Sequence, residues 1–221
     1  MKGLLLKDLR LMKMQKQFFI IITVIAAGMA VFGQGETFSP FIVAYMTFIG
    51  GLFTLSTISY DEFDNGNAFL FSLPVTRQGY VAEKYGFGLI TGAGFWLLGL
   101  VIDIAAGLTR GMFSADTVVA ALLILPILLL MLAFMLPFQL KFGGEKGRIV
   151  MIGAVGIVLL AGALLRKIAG AWNFHVDDAL NNLETLNMSM GKVILAVVVL
   201  AAVLFFVSYK ISVSIMVRKE F

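Results

Sequence analysis

Gly143, Gly144, Glu145, Lys146, Gly147 and Arg148 put glycine and basic side chains into six consecutive positions, the composition of a turn that cradles phosphate. Such a turn works when the spacing is Gly-x-x-x-x-Gly-Lys-Ser/Thr and when it joins a strand to a helix, so that backbone N–H groups and the lysine converge on the phosphates. Here the spacing differs and the flanking segments are apolar. The chain thus carries no nucleotide-hydrolysing loop, and if it serves an ATP-driven machine, the energy comes from a separate chain.

The other groups capable of chemistry are few. His175, the single histidine, has Asp177 and Asp178 nearby, but it lacks the further ligands at fixed spacing that a metal ion requires, and the pattern reads as a polar loop. No cysteine is present, which excludes disulfides, thiolate metal sites and cysteine catalysis together. A membrane enzyme would gather His, Asp, Glu or Ser at one depth, and no such cluster is apparent. Asp103 is the one carboxylate set well inside an apolar run, Leu97 to Ile104. Exposing it to lipid would cost on the order of 3 kcal/mol or more, so it is a candidate for the substrate path as well as for simple pairing or local solvation near the outer end of its segment. Gly88 and Gly92 form a Gly-x-x-x-Gly pair that suits close helix packing. Gly99 and Asp103 continue roughly along that face, so the face is expected to look into the protein.

The elements that hold these residues follow from composition. Of 221 residues, 60% are hydrophobic and 14% charged, with a mean hydropathy of +0.99. A water-soluble chain of this size needs more polar surface, so the excess apolar side chains must face lipid. Crossing the hydrocarbon core takes about 20 apolar residues in a helix. Six segments meet or approach that length: 17–32, 39–60, 85–108, 117–140, 149–165 and 193–216. The expected fold is an all-α integral membrane protein of one transmembrane domain, residues 1–221, with six transmembrane helices. The N-terminal run is interrupted by Lys7, Asp8, Arg10, Lys13 and Lys16 and does not read as a cleaved signal.

Orientation follows from the basic residues. With the N-terminus inside, Lys2, Lys7, Arg10, Lys13, Lys16, Arg77, Lys84, Lys141, Lys146, Arg148, Lys210, Arg218 and Lys219 are cytoplasmic, against Arg110, Arg166, Lys167 and Lys192 outside. This bias places both termini in the cytoplasm. The net charge of +4 is thus a topology signal rather than the footprint of nucleic acid, and no nucleic-acid partner is expected.

Three stretches remain. Residues 1–16 place Leu4, Leu5, Leu9 and Met12 near one helical face and Lys7, Asp8, Arg10 and Lys13 largely elsewhere, the pattern of a helix lying in the membrane interface with its basic residues toward lipid headgroups. The alternative is that it extends the first transmembrane helix into the cytosol. Residues 61–84 form a cytoplasmic connection holding Phe69, Leu70, Phe71 and Leu73, an apolar cluster too short to span and closed by Pro74. Apolar side chains in that position need a partner surface. The partner is either a groove on a soluble subunit, with the rings as anchors, or the protein's own helix ends. Residues 166–192 form a polar external loop.

The run Asp61-Glu62-Phe63-Asp64-Asn65-Gly66, then Phe71-Ser72-Leu73-Pro74-Val75-Thr76-Arg77 and Tyr80-Val81-Ala82-Glu83-Lys84-Tyr85, resembles the small bacterial ABC-2 type permeases. It is particularly similar to the subfamily of phenol-soluble modulin exporter permeases, where the block also joins the second and third transmembrane helices. In topology the likeness extends over essentially the whole chain, including the Lys-Gly-Leu-Leu-Leu-Lys-Asp-Leu opening. The resemblance implies a type V exporter-like fold in which residues 1–16 are the interfacial connecting helix. It makes Asn67, Ala68, Phe69, Leu70, Phe71, Ser72, Leu73 and Pro74 the coupling segment that docks on the ATPase, and Lys141, Lys146 and Arg148 a second cytoplasmic contact. It further implies short re-entrant half-helices within residues 169–190, although the polar side chains there suit an external cap better.

The implied function is the permease subunit of an ATP-driven exporter in the bacterial cytoplasmic membrane, working as two permease chains, identical or sister, with two ABC ATPase subunits. ATP and Mg would sit on the ATPase, and this chain would need no cofactor. The implied cargo is an amphipathic or antimicrobial-type peptide, exported or resisted. A secondary transporter or channel, and a membrane immunity protein that binds without transporting, are the competing readings; the former would call for more charged or broken helices at mid-membrane than Asp103 alone provides.

Overall fold

The structure, a computed structural model, describes residues 2–33, 38–63, 66–110, 115–144 and 190–219. These residues are helical almost throughout. The helices are α1 (Lys2–Met14), α2 (Lys16–Phe32), α3 (Phe38–Glu62), α4 (Gly66–Ser72), α5 (Arg77–Arg110), α6 (Ala115–Phe142) and α7 (Met190–Arg218). Four of them, α3, α5, α6 and α7, are long and apolar enough to cross a membrane; α1 and α2, bent by 65° at Gln15, make a fifth span if taken together. The expected span 149–165, the loop 166–192 except its last residues, and Lys146 and Arg148 lie outside the described residues.

The helices outrun the apolar segments that predict them. α5 begins at Arg77, a full two turns before the apolar run at Tyr85, because Thr76 caps its start, its hydroxyl accepting from the Gly79 N–H at 3.1 Å, just after the bend at Leu73 and Pro74.

α3 is the centre of the bundle, packing most extensively on α5 and also on α6 and α2. Small residues set these distances. A Cβ on Gly50 of α3 would lie 2.8 Å from both the Cβ of Phe95 and the carbonyl oxygen of Thr91 on α5. One on Gly99 would lie 3.1 Å from the Val43 Cα of α3. Nearer the start of α5, along nearly the same face, Gly88 and Gly92 receive Leu132 and Leu128 of α6, and Gly88 also lies against Thr54 of α3. The Gly-x-x-x-Gly pair is therefore a packing surface, as such pairs are where helices attract one another through close contact rather than through expulsion of water. Large apolar side chains are abundantly exposed on the outer faces of α2, α5, α6 and α7, the arrangement expected of a surface solvated by lipid.

Prolines 126 and 137 lie inside α6. Pro137 lacks the N–H that would bond the carbonyl of Ala133, and Ser208 of α7 donates to that oxygen instead. Tyr85 of α5 joins the same group, its hydroxyl 2.7 Å from Ser208 Oγ and 2.8 Å from Ser212 Oγ. A proline defect is thus converted into a three-helix polar contact, the means by which membrane helices tolerate proline. α6 ends at Gly143, whose φ of +82° is the left-handed stop typical of a helix C-terminus.

Arginines close two further helix ends. Arg110, at the end of α5, donates to the carbonyls of Val31 and Gly33 at the end of α2. Arg77, at the start of α5, donates to Met216 and Val217 at the end of α7, at 3.1 and 2.6 Å. Both satisfy carbonyls that the helix itself leaves orphaned, with the charge that the helix dipole favours there.

Candidate functional site

α4 and the residues around it form the candidate site. The seven residues of α4 hang between the end of α3 and the start of α5. A Cβ at Gly66 would stand 2.6 Å from the Asp61 carbonyl oxygen, so the chain can fold back this sharply only with glycine there. Asn67 is buried, Ala68, Ser72 and Pro74 are exposed, and Ser72 Oγ bonds the Phe69 carbonyl. The apolar cluster divides in two. Phe69 is 70% exposed and Leu73 45%. Leu70 and Phe71 pack inward against the core around Tyr80, Leu55 and Ile58. The Phe71 ring meets Tyr80 edge-on at 5.6 Å and lies 6.0 Å from the Arg77 guanidinium. One half of the segment serves the protein's own interior, and the other half faces outward.

Beneath α4 lies a cluster of charges, Asp61, Glu83 and Lys84 from the motif and Lys7 and Asp8 from α1. Lys84 of α5, fully buried, donates to Asp8 of α1, lies 2.8 Å from Asp61 Oδ2 of α3, and reaches Thr57 Oγ1 at 3.0 Å. Tyr80, one turn before it, donates to Asp61 Oδ2 at 3.1 Å. Lys7 pairs with Asp61 and lies 3.2 Å from Asp8. Glu83, buried as well, is 3.7 Å from Lys84. Three helices are fastened together here by Lys84, Asp8 and Asp61, charges withdrawn from solvent that endure because each faces an opposite partner.

This corrects the expected face of α1. Leu4, Asp8 and Met12, spaced by four, form the stripe that packs on the protein: Leu4 and Asp8 are the buried residues of α1, and Met12 packs against the core of α2 and α3. Asp8 belongs to the packed face, and not to the polar one, because Lys84 neutralises it there.

A second clamp stands beside the first. Glu62 accepts from Lys219 at 3.0 Å and from the Gly144 backbone N–H at 2.6 Å, while Lys219 also donates to the Leu140 carbonyl. The end of α3 is thereby joined to the ends of α6 and α7. Lys141 is exposed next to this clamp, its ammonium 5.1 Å from the Phe142 ring. Asp103 lies far along α5 and is buried, one turn beyond the Gly99 contact with α3; it is not brought to the charged cluster. The signal that could have found the cluster is the four-residue spacing that puts Asp8 in line with Leu4 and Met12, Lys84 with Tyr80, and Asp61 with Thr57.

A bundle of long apolar helices, clad in exposed aliphatic side chains and held at one end by buried charge, defines a multi-pass membrane protein. Within that class the chain belongs to the ABC-2 family of transporter proteins, whose family model matches residues 3–217. This family is the membrane-spanning component of ABC transporters; it is not catalytic by itself and implies an associated ABC ATPase. Neither a curated protein nor a solved structure matches the chain.

Proposed function

We propose that this chain is the permease subunit of an ATP-driven exporter. It spans the bacterial cytoplasmic membrane six times, with both termini cytoplasmic and α1 in the interface. Two permease chains, identical or sister, work with two ATPase subunits that hold the ATP and Mg. The coupling segment is Asn67 to Pro74, and Lys141, Lys146 and Arg148 make the smaller contact. The observation that carries this reading is the split of the α4 cluster. Phe69 and Leu73 project outward from a short helix whose two flanks are clamped, by Asp61 and Glu62 before it and by Arg77 after it. Exposed apolar anchors on a firmly held support are what a docking surface requires.

The cargo fitting this reading is an amphipathic peptide, which reaches the transporter from the membrane and is exported or kept from accumulating. Asp103 is the candidate for the path. The test is co-purification of the intact chain with its ATPase against a Phe69→Asp, Leu73→Asp variant that inserts normally. Loss of the ATPase supports docking through α4, and retention moves the docking site elsewhere. An intact chain that captures no ATPase returns the protein to the reading of a membrane protein that binds without transporting.

A further inference from the structure

We infer that Lys84 is a positioning residue of the transport cycle. By holding Asp8 and Asp61 at once, it makes α1 move with the α3–α4–α5 segment. The inference rests on the permease reading for its role in transport, and on geometry alone for the linkage itself.

Three observations lead to it. First, α1 has little else to hold it. Its buried residues are Leu4 and Asp8, its main packing partner is α5, and the 65° bend at Gln15 separates its direction from that of α2. A helix anchored by so small an area is oriented chiefly by its ion pairs, the buried Asp8 on Lys84 and the partly exposed Lys7 on Asp61. Second, the buried charge is shared. Lys84 binds Asp8 and Asp61 together, and Asp61 also accepts from Tyr80, against which Phe71 of α4 is packed. A displacement of α4 therefore reaches Asp61 and Tyr80 first and α1 next, through the buried ammonium of Lys84 and the partly exposed one of Lys7. Third, the elements on the far side have a separate attachment. Arg77 and the Glu62–Lys219 clamp tie α4 and α3 to α6 and α7 without touching α1. Breaking the Lys84 link should loosen α1, leaving it only the partly exposed Lys7–Asp61 pair, and keep the rest of the base assembled.

Coupling of this kind needs a physical element with two arrangements that both sites bias. Here the element is α1, held or loosened. Lys84→Met alone is a poor probe, because it takes a partner from three buried carboxylates, Asp8, Asp61 and Glu83, and risks the fold. Asp8→Leu with Lys84→Met removes the buried pair together and leaves Asp61 with Tyr80 and with Lys7, whose partly exposed ion pair is then the remaining charged tie to α1. Lys84→Arg is the conservative control, since the charge remains.

The chain has no cysteine, so nitroxides can be placed cleanly at Arg10→Cys and Leu108→Cys, both exposed positions, the second near the opposite end of α5. In nanodiscs the full chain should give one narrow distance distribution, as should Lys84→Arg, while the double variant should widen it about twofold as α1 is loosened. An unchanged width in the double variant overturns the linkage. With the ATPase bound, a non-hydrolysable ATP analogue should shift the distance in the parent and in Lys84→Arg, but not coherently in the double variant. An equal shift in the double variant overturns the role in transport. Failure of the parent chain to bind any ATPase would remove the transport role together with the permease reading, whereas the width measured on the chain alone decides the linkage in either case.

Discussion

Lys84 donates to Asp8 across 76 residues of chain, and both side chains are withdrawn completely from solvent. The pair joins α1 to α5, and Asp61 completes it from α3, its Oδ2 2.8 Å from the Lys84 ammonium. The residues of the most distinctive stretch of the sequence are thus structural at their centre and outward-facing only at Phe69, Leu73 and their exposed neighbours.

Lys84→Met should destabilise the protein by about 3–5 kcal/mol, because a buried pair broken on one side leaves charge without compensation. The Asp8→Leu, Lys84→Met double variant should recover most of that loss. Thermal unfolding of the full chains in the same detergent checks the comparison, and a single variant as stable as its parent would show that water reaches the cluster.

Gly50→Ala should cost about 1–3 kcal/mol by overpacking. Its new methyl would meet the Thr91 carbonyl oxygen and the Phe95 Cβ at 2.8 Å, and backbone cannot swing aside as a side-chain tip can. Gly94→Ala has open space around it and should be neutral or stabilising by up to about 1 kcal/mol through helix propensity. Unfolding midpoints for the two alanine variants measure the difference.

Ser208→Ala should cost about 1–2 kcal/mol, since it strands the Ala133 carbonyl that Pro137 leaves unbonded. Restoring the helical N–H with Pro137→Ala should make the serine substitution much less harmful. A double-mutant cycle on stability tests this, and additive effects would separate the serine from the proline.

Phe69→Asp should leave stability within about 0.5 kcal/mol of the parent because its ring is exposed. Phe71→Ala should cost about 2 kcal/mol because its ring lies against Tyr80. Equal losses from both would mean that Phe69 is packed on something in the assembled protein. Expression level and unfolding in detergent distinguish these outcomes before any partner is added.

The membrane class and the existence of a short apolar element before Pro74 were legible in the sequence. Each depends on a property of one continuous segment: enough apolar length to cross lipid, or a proline that ends the run. The inward look of the Gly88 and Gly92 face was legible for the same reason, since small residues at four-residue spacing form a groove whatever they meet. What only the tertiary structure decided is which side chains meet. Phe69 and Phe71 are equally apolar, and only the docking of α4 on Tyr80 turns one ring in and leaves the other out. Asp8 looks like a surface charge on an amphipathic helix until α1 is laid against α5, where Lys84 makes burial tolerable. Such pairings depend on the rotation and depth of helices distant in sequence, and a segment's own composition carries no record of the partner that will neutralise it.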